Sequence, residues 1–307
     1  MFLLESNNKY LSNKKFIQEP HKGKLSVNGH SNILDVYIAG LGMNHNVFLH
    51  SFDMITKPKE EYNYLLAITL SGFNEYVKNN SKNQEIKTYS ETEQVLDAAT
   101  TIKEHIKKIK IEKNIDIGKV NIFGFSYGAD LLTGIANELI GKNTKINKLV
   151  FSDVNLNKET AFLTGQITEI ENEPKNIDEK NKKGEFIKRV IDFSDDDKIL
   201  DNLEYLRISY NVNWNQMVKS AVSAFANSGD RIEEIKSFLN TNTNISCMFI
   251  ISERTINKIN NGYLQGIKNI MKQTINLNRN ISYHSTKKHF DGISYATIYN
   301  VNNFFRE

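Results

Sequence analysis

Short apolar stretches alternate along this chain with longer stretches whose apolar residues recur at helical spacing. The short stretches are mostly rich in β-branched residues, as expected of strands buried on both faces of a parallel sheet. They cover residues 33–39, 64–69, 119–123, 148–152 and 245–251, with a weaker one at 281–284. Because strands and helices alternate, the sequence predicts an α/β fold: a mostly parallel central sheet with helices on both faces.

Two of the intervening helices have clear signals. Ser90 and Glu93 match a capping box, and apolar residues then follow at helical spacing until Gly118. His105 on this helix is expected at the surface. The second helix follows residue 126 and is predicted from four residues on one face and a glycine stop: Leu131, Leu132, Ile135, Leu139 and Gly141.

The alternation stops between residues 155 and 229, where the sequence becomes polar, charged and helical in its spacing. This predicts a helical cap inserted into a core made of residues 1–154 and 230–307. Trp214 lies in this insertion, either packing the cap internally or lining a substrate pocket. Residues 169–184 include Pro174 and many charges, which predicts a mobile loop.

Composition narrows the choice of function. The 307 residues carry a net charge of +3, and acidic runs interrupt the basic ones. No zinc-ligand spacing, phosphate-binding loop or RNA-binding motif is present, so neither a metal, a cofactor nor a nucleic-acid partner is expected. No apolar run approaches the roughly 20 residues of a membrane span. Without a basic leader, a cytoplasmic location is expected. Cys247, in an apolar run, is expected to be a buried thiol.

A Gly-x-Ser-x-Gly sequence lies between a predicted strand and a predicted helix. Gly124 and Gly128 allow a sharp turn around Ser126, which would lift the serine hydroxyl clear of the fold. Such a hydroxyl is a poor nucleophile unless a base takes its proton. Two histidines near the C-terminus are candidates for that base. His289 is preferred, because His284 lies inside a predicted strand, where a side chain packs more often than it reaches a loop-borne site.

With this order of strand, turn, serine, helix and late histidine, the chain resembles the α/β-hydrolase fold superfamily over nearly its whole length. The resemblance implies that Ser126 is the nucleophile and His289 the general base. It also implies that the amides of Tyr127 and Leu41 stabilise an oxyanion.

The loop that carries Leu41 departs from the family pattern at one position. The residue before its first glycine is usually histidine and is Ala39 here. The backbone donor is unaffected by that change. His45 or Asn44 could brace the loop instead.

The acid of the expected triad is not readable from the motif, because Thr255 stands where the family pattern has aspartate. Two carboxylates remain. Glu253 ends the strand that usually presents the acid and is preferred. Asp153 ends the previous strand, a position that some lipases of the superfamily use, but it could also simply cap a helix of the insertion.

The resemblance implies a serine hydrolase that cleaves a carboxylic ester or thioester through an acyl-serine intermediate. Its partner would be a small-molecule acyl ester or thioester, free or carrier-bound. An acyltransferase using the same acyl-serine is one alternative. A ligand-binding protein that keeps the fold without the activity is the other, since the aspartate is missing at Thr255.

Overall fold

The computed structural model describes residues 16–19, 24–56, 62–73, 87–158, 160–172, 178–193, 213–253, 281–287 and 289–307. Within them, eight strands form one sheet in the order β1-β2-β4-β3-β5-β6-β7-β8. The strands are β1 (Phe16–Glu19), β2 (Lys24–Val27), β3 (Ile33–Ile38), β4 (Tyr64–Ile68), β5 (Lys119–Phe125), β6 (Ile146–Ser152), β7 (Ser246–Ser252) and β8 (Ile281–Thr286).

The six strands from β3 to β8 are parallel, which confirms the predicted sheet. All six predicted strands exist, with bounds that differ by a few residues. Strands β1 and β2 were not predicted; they pair antiparallel with each other and extend the sheet beyond β4. These two strands are only four residues long, and so short a polar stretch carries little periodicity.

Helices alternate with the parallel strands. They are α1 (Leu49–Ile55), α2 (Glu91–Lys113), α3 (Tyr127–Asp130), α4 (Leu132–Ile140), α5 (Phe162–Asn172), α6 (Glu179–Phe193), α7 (Trp214–Asn227), α8 (Arg231–Thr241) and α9 (Tyr295–Arg306). The predicted capping box begins α2: the Ser90 hydroxyl accepts from the Glu93 amide, and the Glu93 carboxylate accepts from the Ser90 amide.

The expectation for His105 is wrong, because its side chain is buried. It lies on the stripe of α2 that faces the core, together with Ala98, Ile102 and Ile109. The same stripe begins at Gln94, a polar residue at a buried position. A polar residue on an apolar stripe is a sequence signal for a buried hydrogen-bonding role, and Gln94 was not predicted to have one.

The region between residues 155 and 229 is mostly helical where it is described. The predicted loop at 169–184 is wrong for most of its length, since residues 169–172 belong to α5 and residues 179–184 to α6. An ion pair from Lys182 to Glu171, 3.0 Å, joins these two helices. Residues 173–177, with Pro174, lie outside the described residues.

Trp214 packs inside this helical region, which is the first of its two predicted roles. Its indole Nε1 donates to Glu171 at 3.2 Å, and its ring meets Phe186 edge-on with centroids 6.1 Å apart. Only 2% of the residue is exposed. The aromatic pair therefore joins α7 to α6 and leaves little of Trp214 to contact a substrate.

Three other sequence features can be placed. Cys247 is a buried thiol, as predicted. No helix in the described part of the chain has both the length and the apolar character needed to span a membrane. The described residues contain no cluster of three His, Cys, Asp or Glu side chains that could hold a metal ion.

Candidate active site

Ser126 occupies a strained turn between β5 and α3. Its backbone angles are φ 51° and ψ −121°, a region that residues other than glycine seldom enter. The flanking glycines explain why the turn is possible. A Cβ on Gly124 would lie 2.6 Å from the carbonyl oxygen of Gly128, and a Cβ on Gly128 would lie 2.6 Å from that of Ala39. Only glycine fits at either position, so the chain is built to hold Ser126 at the tip of the turn.

His289 is paired with Asp153. The imidazole Nδ1 lies 2.8 Å from Asp153 Oδ2, while Asp153 Oδ1 accepts a hydrogen bond from the Ser252 amide at 2.9 Å. A carboxylate only accepts, so Nδ1 carries the hydrogen of the neutral imidazole. Nε2 is then left with its lone pair, which is the form a general base requires.

Backbone contacts bring this pair to the Ser126 turn. The Ser126 amide donates to the carbonyl oxygen of Ser152 at 2.7 Å, and Asp153 is the next residue. The ring of Phe125, directly before Ser126, packs against the imidazole of His289 with centroids 4.9 Å apart. The Ser126 turn and the His289–Asp153 pair therefore lie at the same carboxyl edge of the sheet, where β5, β6 and β8 end.

Glu253 does not share this position. It follows the last residue of β7, and its side chain is exposed. Asp153 differs because its backbone turns into the left-handed region, φ 47°, immediately after β6. Its carboxylate thereby reaches across to the end of β7 and to the turn after β8. The geometry favours Asp153, the alternative of the sequence analysis, over the preferred Glu253. Thr255 lies outside the described residues.

The other histidine candidate, His284, lies in the middle of β8, as the sequence suggested, and is exposed. The contact with Asp153 belongs to His289, which opens the short 3-10 helix from His289 to Ile293. That helix packs closely under the site: a Cβ on Gly292 would come within 2.6 Å of the Ser152 hydroxyl. The preference for His289 thus agrees with the geometry.

The two residues whose amides were predicted to stabilise an oxyanion can be placed in the fold. Tyr127 is the first residue of α3, where an amide has no partner within the helix. Leu41 lies in the buried turn after β3, which Gly42 completes at φ 68°. Among the backbone hydrogen bonds of the described residues, none is donated by either amide.

His45 braces the Leu41 loop. Its amide donates to the Thr69 hydroxyl at 2.8 Å, and its Nδ1 lies 2.8 Å from the same oxygen. Thr69 directly follows β4, so these contacts tie the loop to the neighbouring strand. Asn44 makes a local contact instead, accepting from the Asn46 amide. Thr69 was not predicted as a partner of His45, because only the folded sheet brings the two residues together.

Comparisons with known proteins agree with this architecture. No protein-family model and no curated protein matches the sequence. Solved structures do match. A carboxylesterase of Nitrososphaera gargenis is similar over 95% of this chain and 97% of its own, with a TM-score of 0.56 and 12% identity. A thioesterase domain from the curacin biosynthetic pathway is similar over 94% and 98%, with a TM-score of 0.50 and 14% identity.

A third similar structure has a different chemistry. AqDC, described as recognising the Pseudomonas quinolone signal and cleaving its ring, is similar over 92% of this chain and 94% of its own, with a TM-score of 0.60 and 10% identity. Likenesses at such low identity establish the fold. The chain has the α/β-hydrolase fold, with its mostly parallel sheet and flanking helices.

Proposed function

We propose that this protein is a serine hydrolase that cleaves a carboxylic ester or thioester through an acyl-serine intermediate. The observation that carries the proposal is the His289–Asp153 pair beside a strained Ser126 turn. An ordinary strand-to-helix turn requires neither the strain nor a histidine whose Nδ1 is fixed by a buried carboxylate. The esterase and thioesterase among the similar structures support the same interpretation.

The proposal gives each residue of the site a role. Ser126 Oγ attacks the carbonyl carbon of the substrate while His289 Nε2 takes the serine proton. Asp153 holds the imidazole in the required tautomer and stabilises the imidazolium. The amides of Tyr127 and Leu41 donate to the oxyanion of the tetrahedral intermediate.

Collapse of that intermediate breaks the bond to the leaving alcohol or thiol, which receives the proton from His289. Water then attacks the acyl-serine and gives its proton to Nε2. The second collapse frees the carboxylic acid and returns the proton to Ser126 Oγ. The residues named supply every proton transfer, so the reaction requires no metal or redox cofactor.

Residues 155–229 are the proposed cap. Helix α7 of this region is connected to Tyr127, the residue after Ser126, through a shared hydrogen-bond acceptor on Gln94, which supports a cap beside the site. A substrate would enter between the cap and the carboxyl edge of the sheet, where the fold commonly places ligands.

The proposal is tested by labelling with a fluorophosphonate and by burst kinetics with a p-nitrophenyl ester. Ser126→Ala should remove the label and the burst, and lower turnover by at least about 10³-fold. Ser237→Ala, an exposed serine of α8, is the matched control and should behave as the wild type. A wild-type protein that takes no label at Ser126 would support the non-catalytic ligand-binding alternative.

A further inference from the structure

A chain of buried hydrogen bonds connects the residue after the nucleophile to the cap. Tyr127 is fully buried, and its phenol donates to Gln94 Oε1 at 2.7 Å. Ser220, on cap helix α7, donates to the same oxygen at 3.4 Å. Three elements distant in sequence, the nucleophile turn, α2 and α7, therefore meet at one amide oxygen.

The direction of each bond is set by Gln94 itself. Its Nε2 donates to the carbonyl oxygen of Ser71 at 2.8 Å, so Oε1 must face Tyr127 and can only accept. Burial raises the pKa of the Tyr127 phenol far above its ordinary value, and the hydroxyl stays a donor. The contact is thus a fixed anchor for the Tyr127 side chain.

The end of this hydrogen-bond chain that lies on α7 is also fixed by several contacts. Gln216 on α7 accepts from the Tyr89 amide at 2.6 Å and donates to the Tyr89 carbonyl oxygen at 3.0 Å. Its Nε2 also donates to the Ser220 hydroxyl at 2.9 Å. Room for Gln216 is left by Gly72, whose added Cβ would come within 2.4 Å of the Gln216 side chain.

Building on the proposed function, we propose that Gln94 and the Tyr127 phenol are positioning residues that align the Tyr127 amide with the oxyanion, and that α7 contributes to this alignment through Ser220. The Tyr127 amide and phenol belong to one residue, with one end of its side chain held at Gln94. A shift of Tyr127 that moved its amide would also pull the phenol away from Gln94, which costs free energy because a buried hydroxyl would lose its acceptor. The chain of hydrogen bonds also makes the turn at Ser126 sensitive to the position of α7.

The first arm of the test is kinetic. Tyr127→Phe removes only the phenol oxygen, and Gln94→Met removes its acceptor with little change of volume. Each should lower kcat about 10-fold with KM within about 2-fold, since small misplacement of an oxyanion donor acts on the transition state. The affinity for a trifluoromethyl ketone, which forms a tetrahedral adduct on serine, should fall in parallel. The double variant should be no worse than Gln94→Met alone, because Gln94→Met already lacks the bond that Tyr127→Phe removes.

The matched control is Ser223→Ala. Ser223 lies on the same helix, one turn from Ser220, and donates to Glu91 of α2 at 2.7 Å. Removing the Ser223 hydroxyl breaks a contact between α7 and α2 that does not belong to the chain of hydrogen bonds from Tyr127 to Ser220, so kcat should not change. If kcat per fluorophosphonate-labelled site were at the wild-type value in both Tyr127→Phe and Gln94→Met, with only the melting temperature lowered, the proposal would be overturned.

The second arm needs no turnover. In protein labelled with ¹⁵N-tyrosine, the Tyr127 amide resonance is the one that Tyr127→Phe deletes. Gln94→Met and Ser220→Ala should shift it, whereas Ser223→Ala should not. An unmoved resonance in the first two variants overturns the positioning role even in an active enzyme. A shifted resonance in a protein that takes no fluorophosphonate supports the positioning of this amide while rejecting the proposed hydrolase.

Discussion

Replacing Asp153 by asparagine tests the proposed triad most sharply. Asp153 accepts two hydrogen bonds at once, from the Ser252 amide and from His289 Nδ1, and only 3% of its side chain is exposed. An asparagine has one oxygen and one NH₂ group in the same space. The NH₂ group must face either the Ser252 amide or the Nδ1–H of His289, and in both cases one hydrogen-bond donor is placed against another.

The imidazole is the partner that can adapt. If the side-chain oxygen of the introduced asparagine stays with the Ser252 amide, its NH₂ group faces Nδ1, which must become an acceptor. The hydrogen then moves to Nε2, and the base that should take the Ser126 proton is lost. We expect kcat to fall by about 10⁴-fold, the size known for the same exchange in a serine-protease triad. Losses of stability should be about 1–3 kcal/mol, from imperfect pairing of one buried group.

Backbone strain does not confuse this experiment. Asp153 has φ 47°, a conformation that asparagine tolerates well, so Asp153→Asn leaves the turn after β6 intact. The matched control is Glu253→Gln, at an exposed position, which should change kcat less than about 2-fold. Both kcat and the urea unfolding curve should be measured for each variant. A stable, active Asp153→Asn beside an inactive Glu253→Gln would refute the assignment and restore Glu253 as the acid.

Two further predictions concern stability. Asp35 is fully buried and accepts from Asn63 and Asn121 at 2.8 Å each; burial, only partly offset by these bonds, raises its pKa from 3.8 to about 7. Because the folded-state pKa is raised, the protonated carboxyl of Asp35 stabilises the fold at low pH, and this stabilisation is lost as the pH rises through about 7. The unfolding free energy of the wild type should therefore fall by about 2–3 kcal/mol between pH 5 and 8, relative to that of Asp35→Asn. Equal pH slopes in urea titrations of the two proteins would contradict this. Gly128→Ala should lower the free energy of unfolding by about 1–3 kcal/mol, because its Cβ would press on the backbone at the end of β3. Gly229→Ala is the control, since its Cβ meets open space and should leave stability unchanged. An unchanged stability in Gly128→Ala would mean that the turn has room to relax.

The sequence carried the architecture because the signals that specify it are local. β-Branched runs such as 33–38 are buried on both faces of the sheet, and the Ser90 capping box starts α2 within its own four residues. Gly124 and Gly128 flank Ser126 within one pentapeptide, so the strained turn could be inferred without knowing what surrounds it. His289 was separable from His284 for a similar reason, since one follows a strand and the other lies in it.

Errors arose where the answer depended on distant parts of the chain. The loop predicted at residues 169–184 is largely helix, because packing between α5 and α6, with the Lys182–Glu171 pair, stabilises a charged sequence that has weak helical signals of its own. The short strands β1 and β2 form because a neighbouring strand edge accepts them.

The sequence by itself determined the alternation of strands and helices, the sharp turn at Ser126 and the choice of His289. Tertiary structure decided which carboxylate contacts His289, which residue braces the Leu41 loop, and how α7 is connected to Tyr127. The physical reason is that these contacts depend on where neighbouring strands end and on turns such as the left-handed one at Asp153. Glu253 and Asp153 have similar chemistry and similar positions at strand ends, and only the direction of each backbone distinguishes them.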